Sequence, residues 1–220
     1  MVDVIDFIET SDAPAARAVW LAVCDFLSMQ PGYIAGELLE TIRSVQPRTD
    51  VKFTSICQWE SAEAWQAART LARQDAGLSR IRASTPAKFT AFNGVLQAGC
   101  GYDVQSGSAG SMVLVDVVYM NEERMEGYAQ MWARAKAFMC KQDAYLGASL
   151  YRTIDLSNDI KYVNIARWGT MEHFFKALDT PEFYEILGDY AQDFALYLSN
   201  SSTCVLGGTN FTNRPSEIAK

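Results

Sequence analysis

The chain has 220 residues, 49% of them hydrophobic, and a formal net charge of -7. That apolar fraction suffices for a packed core and excludes a disordered chain. The acidic balance argues against nucleic acid and anionic membrane surfaces as partners, and no run of about 18 apolar residues offers a transmembrane span.

The N-terminus, Met1-Val-Asp-Val-Ile-Asp, lacks the basic n-region of a secretory signal. Cys24, Cys57, Cys100, Cys140 and Cys204 are odd in number and widely spaced, with no CxxC pair. That pattern predicts reduced thiols in a cytoplasmic compartment and no disulfide framework or metal site.

Val2 to Glu9 is apolar and β-rich and reads as a first strand. Ser11 or Asp12 can cap the helix that follows, with Pro14 in its first turn. Ala16, Val19, Trp20, Val23, Phe26 and Leu27 recur at helical spacing and form one apolar face. Gly32 ends that helix, and Tyr33–Ile42 and Val51–Trp59 read as a hairpin-like pair of strands. Ser61 caps a second helix with Glu63 in its first turn, more helix is expected from Asp75 to Ala83, and Lys88–Gln97 reads as a fourth strand. Residues 99–110 are rich in Gly and Ser and read as a linker.

The order then repeats. Met112–Met120 is a strand, Glu122–Lys141 a helix, and Tyr145–Ile154 and Ile160–Trp168 are strands. Helical structure is expected from Thr170 to about Leu198 with a break at Pro181, then a closing strand Ser202–Leu206 and a polar tail, residues 210–220.

This order reflects an internal repeat. Tyr33, Leu38, Thr41 and Ile42 fall on Tyr145, Leu150, Thr153 and Ile154, and the same shift sets Trp20, Phe26 and Gln30 on Trp132, Phe138 and Gln142. Shortening one loop then aligns Asp50, Lys52, Ile56, Trp59 and Glu63 with Asp159, Lys161, Ile165, Trp168 and Glu172. The expected class is α+β: two ferredoxin-like β-α-β-β-α-β units, residues 1–98 and 111–209. The strands carry apolar residues on both faces, with Tyr33, Ala35 and Leu39 one way and Ile34, Leu38 and Ile42 the other. The two sheets are therefore expected to pack face to face, as an internal pseudo-dimer or within a homodimer.

Alternation places Tyr162, Asn164, Ala166 and Trp168 on one face of a strand. Asn164 and Trp168 fit two readings: a satisfied core pair, or an amide and an indole that hold a phenol or ketone oxygen in an apolar cavity. The matching face of the first half carries Phe53, Ser55, Cys57 and Trp59, with Trp65 on the next helix. Arg80 reads either as an oxyanion partner or as a solvated helix residue, with Arg82 competing for the role. His173, the only histidine, reads as a surface residue, a general base or a haem ligand.

Phe53-Thr-Ser-Ile-Cys-Gln-Trp-Glu-Ser-Ala-Glu-Ala-Trp65 and Tyr162-Val-Asn-Ile-Ala-Arg-Trp-Gly-Thr-Met-Glu-His-Phe174 resemble the strand-to-helix signature of the antibiotic biosynthesis monooxygenase family. Pro31-Gly-Tyr33 resembles the family's entry into strand two, so the likeness spans both copies. It implies a dimeric α+β barrel. It also implies oxidation of aromatic polyketide-like molecules by O2 with no cofactor, through a strand Asn, a Trp four residues on, a later Tyr and a helix Arg. Asn164 and Trp168 match the first two, while Phe174 stands in place of the Tyr. The first copy offers Trp59, Ser55 in place of the Asn, Trp65 in place of the Tyr, and Arg80 near the Arg. Asn164, Trp168 and Arg80 are thus the expected catalytic set, with Trp59, Trp65, Ser55, Phe174, Tyr162 and His173 lining substrate pockets. The competing expectations are a non-catalytic protein that binds a hydrophobic small molecule, and haem binding or degradation through His173.

Overall fold

A computed structural model describes residues 1–104 and 111–207. The polar tail at 210–220 and the linker residues 105–110 lie outside the described residues.

The first half runs β1 (Val2–Thr10), α1 (Ala13–Ser28), β2 (Tyr33–Val45), β3 (Val51–Trp59), α2 (Ala62–Gln74), α3 (Ala76–Ala83) and β4 (Ala87–Gly99). The second runs β5 (Met112–Tyr119), α4 (Met125–Met139), β6 (Tyr145–Thr153), β7 (Ile160–Trp168), α5 (Met171–Leu178), α6 (Pro181–Leu187) and β8 (Phe194–Leu206). Side-chain oxygens start the helices by taking up free N–H groups of the first turn. Asp12 accepts from the Ala15 N–H at 3.0 Å, Ser61 from Ala64 at 3.1 Å and Asp75 from Leu78 at 2.8 Å. Thr170 and Thr180 do the same for α5 and α6.

The eight strands close into one antiparallel barrel in the order β1-β3-β2-β8-β5-β7-β6-β4. Within each half the order is fourth, first, third, second. The halves join edge to edge, β2 against β8 and β4 against β6. Inner-face residues of both halves share one core, as the face-to-face expectation requires, and the edges also meet, which leaves no unpaired strand edge. Alternation sends Val113, Val115 and Val117 of β5 into the barrel, with Ile5, Phe7, Phe92, Val163 and Ile165. Leu114 and Val118 point outward to the helices. The linker's first residues also belong to the core. Tyr102 and Val104 are buried in the barrel, where Gln58 donates to Tyr102 O at 2.9 Å and the Tyr102 N–H donates to Tyr151 Oη at 2.7 Å.

Three expectations need correction. The stretch up to Leu198 is not helical throughout, because β8 begins at Phe194. Ala195 and Tyr197 fill the barrel while Leu196 and Leu198 meet the helices, so both faces are apolar and no period-two pattern marks the strand. The segment from Glu122 opens with a 3-10 turn, and the α-helix ends at Met139. Tyr33 packs on the helix side with Leu38, not inside the barrel with Ala35 and Leu39, because the β2/β3 register shifts between Tyr33 and Ala35.

Candidate active site

Each half encloses a cavity between the outer face of its strands and its helices. In the second half the space is about 250 Å³. That exceeds the roughly 150 Å³ of a cavity that accepts one benzene ring. Its walls are largely apolar: Leu114, Met131, Trp168, Phe174, Phe183 and Leu196. Two charged side chains line it, Asp116 and Lys136.

The polar residues converge through strand register. β5 and β7 pair so that Asp116 lies directly across from Asn164. Trp132 of α4 donates its indole N–H to Asn164 Oδ1 at 3.1 Å. The carboxyl of Asp116 is pushed up to about 8 by burial, with the Asn164 side-chain hydrogen bond opposing the shift. One of its oxygens, Oδ1, is buried with no hydrogen-bond partner. A lone buried acceptor costs about 1–3 kcal/mol, and such groups concentrate where chemistry needs them. A carboxyl poised near neutrality can take or give a proton at working pH. Lys136 lies 5.4 Å from the centre of the Trp132 ring, a cation–π contact.

Trp168 is 1% exposed, lines this cavity, and meets Tyr145 and Phe174 edge-on at 5.2 and 5.6 Å between ring centres. Phe174 is also in the lining. Tyr162 is not; it stacks on Tyr128 at 5.1 Å and donates to Met125 O at 3.1 Å, so it supports the wall from behind. His173 lines neither cavity and binds Thr170 Oγ1 through Nδ1 at 2.7 Å.

The first half repeats the geometry with different chemistry. Its cavity, about 280 Å³, holds Asp6 across from Ser55. Trp20 donates to Ser55 Oγ at 2.7 Å, as Trp132 does to Asn164. Burial pushes the Asp6 carboxyl up to about 6 against the pull of Arg69 and Arg82. Trp65 lines the space, whereas Trp59 lies behind it, fully buried between Tyr33 and Trp65 with its indole N–H unpartnered. Arg80 is exposed and absent from the lining; Arg69, Arg73 and Arg82 are there instead. The expected catalytic role of Arg80 is therefore corrected, since it points off α3 on a different side from Arg82.

The two aspartates were missed in the sequence, and a signal for them existed. Ile5-Asp6-Phe7 and Val115-Asp116-Val117 each set a carboxyl inside an apolar strand. Trp20 and Trp132 align in the repeat, yet nothing in their spacing tells that their N–H groups reach across to the third strand.

No family model and no curated protein matches the sequence. Solved structures do match. A structure called an anthrone oxidase-like protein superposes with a TM-score of 0.77 at 8% identity, covering 97% of this chain and 96% of that one. The likeness is one of fold. A Fusobacterium nucleatum subsp. nucleatum protein named as a candidate monooxygenase gives 0.58 at 9% identity, covering 97% of each chain. A staphylococcal protein called a major regulator of pathogenesis gives 0.53 at 4% identity, covering 91% of this chain and 99% of that one. The barrel thus carries proteins of different names, and activity must be argued from the cavities. Among the described residues, no helix is long and apolar enough to cross a membrane.

Proposed function

We propose that the chain is a fused pair of ferredoxin-like units, an internal pseudo-dimer, and that its second-half cavity oxidises an aromatic, polyketide-like small molecule with O2. The closed barrel supports the first part, because one chain supplies every strand edge that a dimer would otherwise pair. We take the domain limits from the repeat, 1–98 and 111–209, and a cytoplasmic location from the odd, widely spaced cysteines, which form no disulfide among the described residues. The name of the anthrone oxidase-like structure supports the substrate class.

The observation that carries the reaction is the convergence of Asp116, Asn164 and Trp132 on an apolar cavity. Asp116, ionised, takes a proton from a ring methylene next to a carbonyl. With Trp132 holding the amide by its carbonyl end and one amide N–H engaged by Asp116, the second N–H of Asn164 is the donor for the developing enolate oxygen. Trp168 and Phe174 pack the rings and keep water out. The carbanion passes electrons to O2, a peroxide forms on that carbon, and loss of water leaves a ketone. The balance is CH2 plus O2 giving C=O plus H2O: carbon gives up four electrons and O2 accepts four. The substrate is its own reductant, so no flavin or metal is called on.

The test is oxygen consumption with anthrone as probe, comparing wild type with Asp116→Asn and Asn164→Ala. Stoichiometric O2 uptake and quinone formation that fall at least a hundredfold in both variants support the reading. Equal rates in all three proteins refute it. A binding-only role is the second reading, and Phe174 favours it by placing no hydroxyl where the resemblance expects one. Tryptophan quenching by anthrone without O2 uptake would select it. Nothing supports haem bound through His173, because His173 lines neither cavity.

A further inference from the structure

The first-half cavity differs from the second in charge more than in size. Its rim carries Arg69 and Arg73, one turn apart on α2, and Arg82 on α3. Against these three guanidiniums stands one lining carboxyl, Asp6. Among the described residues none of the three forms an ion pair, whereas Arg17 is paired with Glu40 and Arg124 with Asp193. An arginine keeps its charge in any protein setting. Arg82 is half-buried, and desolvation works against its charge. In a chain of net charge -7, three guanidiniums against the single carboxyl of Asp6, which Arg69 and Arg82 attract, leave a local field of the opposite sign. The rest of the lining is different: the buried Leu27, the part-buried Trp65 and the exposed Phe89 offer apolar contact.

We infer that this cavity is a second ligand site, one that takes a small aromatic carboxylate, with its ring against Trp65 and Phe89 and its carboxylate on Arg82 and Arg69. The planar guanidinium fork matches both oxygens of a carboxylate. The roughly 280 Å³ available exceeds the space of a single ring. The second-half cavity, with Asp116 and Lys136 alone charged, suits a neutral ring system. One chain would then hold two different aromatic molecules. The inference is independent of the proposed oxidation, since no residue is shared between the two cavities.

The experiment is calorimetric titration with 2-naphthoate and with its neutral counterpart 2-naphthol. Wild type is expected to bind 2-naphthoate saturably. Arg69→Gln with Arg82→Gln should weaken that binding about tenfold or more while changing 2-naphthol binding far less. Arg82→Lys, which keeps the charge, should retain more affinity than Arg82→Gln and guards against a folding artefact. Arg80→Gln, on the exposed side of α3, should leave it unchanged, as should Asn164→Ala. No saturable 2-naphthoate binding to wild type would overturn the inference. So would an equal loss for both ligands, or a loss caused by Asn164→Ala instead of the arginine variants, which would put the ligand in the other cavity.

Discussion

Trp132 and Asn164, from a helix and a strand 32 residues apart in sequence, are joined by a 3.1 Å bond from indole N–H to amide oxygen. The bond fixes which end of the amide is a donor to its surroundings. The first half has a counterpart bond, Trp20 to Ser55 at 2.7 Å, again from the first helix to the third strand. What changed between the halves is the group being held, an amide in one and a hydroxyl in the other.

Removing only that N–H is informative. Trp132→Phe keeps most of the buried ring area but leaves Asn164 Oδ1 without its donor. The loss should be about 1–3 kcal/mol of stability, the range for an orphaned buried polar group. Turnover should fall by more than the stability loss explains, because the amide is free to turn its oxygen toward the substrate. Denaturant melts and oxygen uptake on the same preparation check both.

Stability should fall as pH rises. Asp116 goes from the ordinary aspartate value of 3.8 to about 8 on folding, and Asp3 and Asp6 each go to about 6, in all cases chiefly by burial. A carboxyl raised in the folded state binds its proton more tightly there than in the unfolded chain. Its contribution is complete below about pH 4 and is lost as pH climbs through the folded value. Wild type should therefore melt at a higher temperature near pH 5 than near pH 8. Asp116→Asn should flatten the decline between pH 6 and 8 and be more stable than wild type at the alkaline end, by about 2 kcal/mol. An unchanged slope would show that Asp116 is ionised throughout.

The turn from first helix to second strand makes a matched pair of predictions. Gly32 has φ +84°, and a Cβ there would lie 2.7 Å from the Ala64 Cβ. The equivalent residue is Ala144, with φ 60°, facing Gly169. The same bond closes both turns, Glu60 N–H to Gly32 O at 2.8 Å and Gly169 N–H to Ala144 O at 2.7 Å. Gly32→Ala should cost about 1–2 kcal/mol, and Ala144→Gly should gain about 1 kcal/mol by relieving left-handed strain. Thermal melts of the two variants should move in opposite directions.

His173→Ala and Arg80→Gln should leave oxygen uptake within about twofold of wild type, since surface changes away from special features have small effects. Neither side chain lines either of the two cavities described above. A large loss in either would move the chemistry to a surface outside the cavities.

Much of the scaffold was readable because scaffold signals are local. Strands β3 and β7 were bounded to the residue, Ser61 and Thr170 marked helix starts, and Tyr33 and Tyr145 open β2 and β6 while Trp59 and Trp168 close β3 and β7. Edge joining was not readable. Whether β2 meets β8 or stops at a free edge depends on residues more than 150 positions apart. The cavities divide the same way. Trp168, Phe174, Trp65, Ser55 and Asn164 come to them because strand alternation and helix entry are short-range rules. Arg80 and Arg82 are two residues apart, and only the rotation of α3 against the sheet decides which one reaches inward. Asp6 and Asp116 gain their character from burial that no strand alone provides.

Asp116 is the proposed base that starts the O2-dependent oxidation. The direct measurement is the pH profile of anthrone-dependent oxygen uptake in wild type and Asp116→Asn. Wild type should gain activity as pH rises, reach half its maximum near pH 8, where the carboxyl is half ionised, and level off about one pH unit above. The variant should be at least about a hundredfold slower and lack that rise. A variant with the same profile and rate as wild type would contradict the central claim.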